Sequence, residues 1–211
     1  MAHVIGIVEL LKPFADPAIG CVAGEILNLD AGTEFGGYLA RKGHLGQSGA
    51  FNHPFLPFAQ TGNAAYRRAV LDRIGGFDPA LHEGEDADLS WRMQLETKYK
   101  IIAAPGSVVL HRQDLTVPAF LKQKRRHAEG GAALYKKYKR LRQMEAPSLK
   151  RTYWEYRSIL KRSILHLWHS SAARLGAQPP QTDDQRYQLL IEIGEKLGRI
   201  KGSIRYRVWY P

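Results

Sequence analysis

Apolar residues recur at mixed spacings of three and four from Val4 to Phe14 and stop around Pro13, which predicts a short helix. Ile19 to Leu27 (IGCVAGEIL) is a β-compatible run bounded by Pro17 and Asn28. Residues 32–60 are rich in Gly, Phe and Pro and lack a period, so a long, partly irregular surface segment is expected there. Arg67 to Ile74 predicts a short helix stopped by Gly75-Gly76, and Glu85 to Leu95 a second helix opened by acids. Tyr99 to Ala103 and Ser107 to Leu110 predict two short strands split by Pro105-Gly106. Past Thr116 the strand signals stop. Residues 118–142, 149–175 and 184–200 are helical patterns separated by Pro147 and Pro179-Pro180. The tail GSIRYRVWYP is expected to pack back or form a small strand. Alternating short strands and helices followed by helices alone predict an α/β core over residues 1–116 and a helical extension over 117–211. Leu89, Met93, Trp91 and Phe77 are expected in the core, and Cys21 is expected to be a buried small hydrophobe.

Charge separates the same two regions. The chain has 211 residues and a formal net charge of +11. Residues 1–114 hold 10 Lys+Arg against 13 Asp+Glu, whereas residues 115–211 hold 21 against 7. A weakly acidic front and a strongly basic back suggest two different tasks. The composition excludes wholesale disorder, and one cysteine excludes a disulfide framework or a multi-cysteine zinc site. No apolar run is long enough for a membrane-spanning helix, and the first residues do not read as a secretory signal. A cytoplasmic protein, soluble or held at the inner face of the membrane, is the resulting expectation.

Chemistry concentrates between Thr61 and His111. Gly62-Asn63 ends a strand-like run, where backbone and an amide side chain can meet a ligand. Glu85, Asp86 and Asp88 cluster at a helix start, and carboxylates so close repel one another, which favours a raised pKa or a bound cation. An Asp there can act as general base for an alcohol. His111 closes a β run, where its imidazole can ligate a metal or donate a hydrogen bond. The plainer alternatives are acids that complement the helix dipole and a structural histidine.

Four motifs follow one another along this stretch: Gly62-Asn63-x-x-Tyr66-Arg67-Arg68, Gly75-Gly76-Phe77-Asp78, Gly84-Glu85-Asp86-x-Asp88-Leu89-x-Trp91-Arg92 and Pro105-x-x-Val108-x-x-His111. Taken together, they resemble the acceptor-side half of a family 2 glycosyltransferase. The segment PFADPAIGCVAGEI is similar to the one that follows the family's metal-binding acid motif, and the closing GRIKGSIRYRVWYP is similar to the end of some members. The resemblance implies a partial GT-A, Rossmann-like mixed sheet with flanking helices. It also implies inverting transfer of a sugar from a nucleotide-diphosphate donor to an acceptor hydroxyl, in polysaccharide or glycan biosynthesis. Asp86 would be the catalytic base and Glu85 its neighbour at the acceptor. Gly62 and Asn63 would line the donor-sugar or acceptor pocket. Asp88 and Arg92, one turn apart, would pair there and fix the carboxylate helix. His111 would help hold a divalent cation, Mg or Mn, which neutralises the leaving diphosphate. The irregular segment 32–60 would serve as an acceptor-binding lid. The family's Asp-x-Asp metal motif does not precede Asp16, so the nucleotide-binding half is expected to be missing or supplied elsewhere. The alternative is a catalytically incomplete fragment serving as a basic membrane- or partner-docking module. The enzyme reading further requires the Asp86 carboxyl to open toward a pocket.

The basic half carries two more signals. Residues 122–142 hold nine Lys+Arg and one Glu, which reads as a solvated helix face, with an anionic membrane or lipid-diphosphate acceptor as the sharper reading. Nucleic acid is the least favoured partner. In 153–171, Trp154, Ile159, Leu160, Ile164, Leu167 and Trp168 fall near one side with Arg157, Lys161 and Arg162 beside them. That stripe suits a bilayer interface, but packing on its own domain is the expectation.

Overall fold

The computed structural model describes residues 4–112, 115–141, 144, 147–174 and 183–211. It divides into two compact units, residues 1–115 and 116–211.

The first unit is organised by β1 (Ile19–Leu29) at the centre of a three-stranded mixed sheet. β2 (Ala64–Tyr66) pairs with it antiparallel, and β3 (Lys100–Arg112) pairs with it in parallel. Both faces of β1 are covered, which explains its nearly unbroken apolar run. Cys21 and Ala23 face Val70 and Ile74 of α4 (Arg68–Ile74) and Leu89 and Met93 of α5 (Glu85–Glu96). Ile19 and Val22 pack with Ala104, against Leu10 of α1 (Val4–Leu11) and Phe14 of the 3-10 turn that follows it. Cys21 is fully buried, and burial pushes its thiol up to about 12, so it is an inert core group.

Three local expectations change. Segment 32–60 is partly irregular as expected, with α2 (Glu34–Lys42) and the short α3 (Ser48–Phe51) in it, but it is not a surface segment throughout, because Phe35, Tyr38, Leu39, Ala50, Phe55 and Ala59 are buried. Thr33 caps α2 by accepting a hydrogen bond from the Gly36 N–H, and left-handed Gly43 closes it. Phe35, Tyr38 and Leu39 then bury one side of a helix whose two glycines and alanine had blurred the period. The two predicted strands around Pro105-Gly106 are one strand, bulged so that Gly24 faces Ala104 while Glu25 faces Val108. Phe77 is half exposed on the turn after α4, not in the core, whereas Trp91, Leu89 and Met93 are buried as expected.

The second unit is helical: α6 (Val117–Tyr138), α7 (Leu149–Arg174) and α8 (Asp183–Tyr206). α8 presents Gly194, Gly198 and Gly202, four residues apart, to α6. A Cβ at Gly198 would sit 2.3 Å from the Arg125 carbonyl oxygen, so the two backbones meet there in a way only glycine allows. Buried Glu129 is clamped by Lys201 Nζ (2.8 Å) and Arg205 Nη1 (2.7 Å). The tail does pack back, though not as a strand: Val208 is buried and Tyr210 stacks on Tyr135 with ring centroids 5.2 Å apart.

Candidate functional site

Helix α5 carries a polar edge at Asp86, Ser90 and Gln94, four residues apart and therefore on one side. That edge is bonded to the extended chain before β2. The Thr61 N–H donates to Asp86 Oδ2 (3.2 Å) and the Thr61 hydroxyl to Asp86 Oδ1 (2.8 Å). The Ala59 N–H donates to Ser90 Oγ (3.1 Å), and Gln94 Nε2 donates to the Pro57 carbonyl (2.8 Å). Trp91 adds a bond from Nε1 to the Leu56 carbonyl (2.9 Å). These bonds satisfy a stretch of backbone that belongs to no ladder, and they set Thr61 and Gly62 beside the start of α5.

Asp86 is half-buried rather than sealed, as is Glu85 beside it. Thr61 takes one lone pair on each Asp86 oxygen, which fixes the carboxylate plane. Gly62 is exposed next to it. In the first unit a concavity of about 530 Å³ lined by Ala18, Arg73, Leu95 and Tyr99 opens at the other end of α5, so it does not receive Asp86. Behind the helix, Tyr66 Oη lies 2.7 Å from Ser90 Oγ. Burial raises the Tyr66 pKa, and the hydrogen bond with Cys21 and the Asp86 charge add to the rise, so the phenol stays protonated.

Asn63, Asp88 and Arg92 have other surroundings than a ligand pocket. Buried Asn63 donates through Nδ2 to the Glu25 carbonyl (2.9 Å) and the Ser107 carbonyl (3.0 Å), one on each side of the β1–β3 bulge. It closes the gap that the bulge opens, and a Cβ at Gly24 would strike it at 2.3 Å. Asp88 is fully buried and accepts from Arg92 Nε at 2.7 Å. The same guanidinium donates to the Ile74 carbonyl (2.6 Å) and to the Gly76 carbonyl, gripping the end of α4. Arg92 pairs with Asp88 as expected, and the pair forms a buried brace between α5 and the end of α4.

His111 is exposed near the end of β3, in register with Asn28. It lies three positions, about 10 Å, along the strand from Val108, where the Asn63 brace ends. The buried Asn28 Oδ1 has no hydrogen-bond partner, so it is one oxygen that suits a cation. Among the described residues, however, no three His, Cys, Asp or Glu side chains stand close enough to hold a metal ion. The residues present therefore do not make up the several-oxygen shell that a divalent cation needs.

Sequence reasoning missed Thr61, Gln47 and Gln60. Buried Gln47 accepts from the Gln60 N–H (2.9 Å) and donates to the Gln60 carbonyl (3.0 Å), while Gln60 Nε2 reaches the carbonyls of Leu45 and Gly46. This exchange ties the loop after α2 to the chain that carries Thr61. The spacing of Asp86, Ser90 and Gln94 was the one available signal that something polar lay against α5.

Comparison with known proteins adds to this geometry. The model of glycosyl transferase family group 2 matches residues 32–179. Pre-mycofactocin glycosyltransferases of two Mycobacterium tuberculosis strains, CDC 1551 / Oshkosh and ATCC 25618 / H37Rv, are each 32% identical over 111 residues. Each match takes in 49% of this chain and 23% of the relative, so the chain spans less than a quarter of the curated relatives it matches.

Proposed function

Because the chain belongs to glycosyl transferase family group 2, we propose that it carries the acceptor side of an inverting sugar transfer, with Asp86 as the base. Its mixed three-stranded sheet with flanking helices is consistent with part of a GT-A fold. The observation that carries the proposal is the half-buried Asp86 carboxylate, held in one plane by Thr61 at the start of α5. A base must present a fixed lone pair to the proton it removes, and two bonds from one residue supply that fixity.

In the proposed reaction an acceptor hydroxyl gives its proton to Asp86 while its oxygen attacks the anomeric carbon of a nucleotide-diphosphate sugar. The bond to the diphosphate breaks on the opposite face, so the configuration inverts and the nucleoside diphosphate leaves with the electron pair. Glu85 borders the acceptor, and exposed Gly62 leaves room for a sugar ring beside Thr61. A family 2 enzyme is expected to use a divalent cation for the leaving diphosphate. The residues described here do not complete a site for one, so no step is assigned to it.

Asp86→Asn is the test. The amide keeps the size of the side chain and can still accept from the Thr61 N–H while donating to its hydroxyl. Transfer from UDP- or GDP-sugars to an acceptor, read as released nucleoside diphosphate, is expected to fall by about 10² to 10⁴. The melting temperature is expected to stay near that of the unmodified chain. Equal turnover in the variant would remove the mechanism, and no transfer by the unmodified chain from any of these donors would remove the activity.

A further inference from the structure

We propose that the outward face of α7, continued by the C-terminal end of α8, docks the second unit onto an anionic membrane surface, with α7 lying in the plane of the interface. Leu149, Tyr153, Leu160, Ile164 and Leu167 are each between 58% and 70% exposed. Their spacings of four, seven, four and three keep them within about 60° of one another around the helix. The stripe runs about 27 Å, at 1.5 Å per residue. Single exposed apolar residues are ordinary, but a continuous row of this length is not.

The face beside this stripe is already used. Glu155, Ile159 and Ser163 are half-buried, Glu155 pairs with Lys196, and Arg162 pairs with Glu192, so α8 holds α7 by a side that leaves the five stripe residues exposed. The stripe expected to pack on its own domain therefore does not: of its residues only Ile159 is half-buried, while Trp154, Leu160, Ile164, Leu167 and Trp168 stay exposed. The row also extends sideways. Tyr153 and Tyr156 of α7 share a groove of about 760 Å³ with Ile200, Ile204 and Trp209, and Ile204 is 74% exposed.

Charge selects the occupant. Exposed Lys150, Arg157 and Lys161 lie along one flank of the stripe, and the Arg157 guanidinium sits 5.0 Å over the ring of Trp154. An apolar row edged by cations and tryptophan suits acyl chains below and anionic headgroups beside it. A second copy of the chain would bring the same excess of cations to the contact, since residues 115–211 hold 21 Lys+Arg against 7 Asp+Glu. Among the described residues no helix is long and apolar enough to cross a membrane, so α7 can lie on a bilayer but is not suited to spanning one.

The test uses the full chain and vesicles of phosphatidylcholine, with or without an equal part of phosphatidylglycerol, read by co-sedimentation. Binding to the anionic vesicles with little to the neutral ones is expected. The double variant Leu160→Glu, Ile164→Glu changes side chains that are 62% and 58% exposed, so its circular dichroism is expected to match and its partitioning to fall about a hundredfold. Arg157→Gln with Lys161→Gln is expected to cost roughly thirtyfold on anionic vesicles and to flatten the salt dependence. Failure of the unmodified chain to bind, equal binding to neutral vesicles, or full binding by the glutamate variant would each overturn the proposal. Binding that soluble polyphosphate abolishes and the glutamate variant retains would reduce it to charge alone. A dimer in sedimentation analysis that the glutamate variant dissolves, without vesicle binding, would give the face to a second copy instead.

Discussion

The two units differ in what joins their elements. In the first, polar side chains are structural: Asn63 spans the bulge, Gln47 and Gln60 lock a loop, and the Asp88–Arg92 pair grips the end of α4. In the second, backbones meet along a glycine row and Leu149, Leu160, Ile164 and Leu167 stand in solvent. A unit whose interior depends on directional bonds holds a few side chains in fixed geometry, as Thr61 holds Asp86. A unit whose helices touch backbone to backbone has apolar side chains left over for its surface. The first arrangement suits chemistry and the second suits docking.

Breaking the pair under α5 is the most severe test of this contrast. Asp88→Ala leaves the Arg92 guanidinium, whose side chain is 12% exposed, without its anion. The first unit is expected to lose about 3–5 kcal/mol, measured by urea unfolding followed through the Trp91 fluorescence. Glu192→Gln, which removes the partner of Arg162 on the surface of the second unit, is expected to cost under about 1 kcal/mol. Similar losses in the two variants would erase the distinction between the units.

The glycine row offers a finer cut. A methyl at Gly198 would meet the Arg125 carbonyl oxygen at 2.3 Å and Ala128 Cβ at 2.8 Å, and a carbonyl in a helix cannot swing aside. Gly198→Ala is expected to destabilise the second unit by about 1–3 kcal/mol. At Gly194 the nearest atoms are 3.7 Å away, so Gly194→Ala is expected to be neutral or to stabilise by up to about 1 kcal/mol through helix propensity. Thermal unfolding of the two single variants separates them, and a stable Gly198→Ala protein would mean that α6 and α8 do not meet this closely.

How much of this was legible in the sequence follows from the range of the interactions. β1, α4, α5 and the three long helices are written in local periodicity and stop signals, and they stand near where the pattern put them, although α8 runs on to Tyr206, six residues past its expected end. α2 was hidden because Gly36, Gly37 and Ala40 dilute its apolar period, although Thr33 and Gly43 marked its ends. The Gly84-Glu85-Asp86 start of α5 was legible as a motif. The partner of Asp86 was not, because Thr61 lies 25 residues away and only the fold brings it near. Asn63 was legible as an amide at a strand end, but its bonds across the bulge were not, because the bulge at Gly24 arises in other strands. The outward stripe of α7 was legible as amphipathic, but which side α8 would claim depended on Lys196 and Glu192.

The smallest effect tests Glu129, a buried charge in the contact between α6 and α8. Glu129 is 6% exposed, and its carboxyl is held below the usual carboxylate range. The Lys201 hydrogen bond is the largest cause; burial opposes it, and the Arg205 bond and both cationic charges add to the depression. A carboxyl lowered in the folded state binds its proton more readily when the chain is unfolded, so acid favours unfolding. The stabilisation is therefore complete above the ordinary carboxylate range and is lost as pH falls through the lower folded value. Glu129→Gln removes the charge at nearly constant size. At neutral pH its midpoint of thermal unfolding is expected to lie slightly below that of the unmodified chain, and the gap is expected to close in acid. High salt is expected to narrow the gap only in part, since Lys201 and Arg205 are solvent-exposed while Glu129 is not. A gap that stays constant from neutral pH into acid would show that the glycine row alone sets the contact and that the buried charge adds nothing to it.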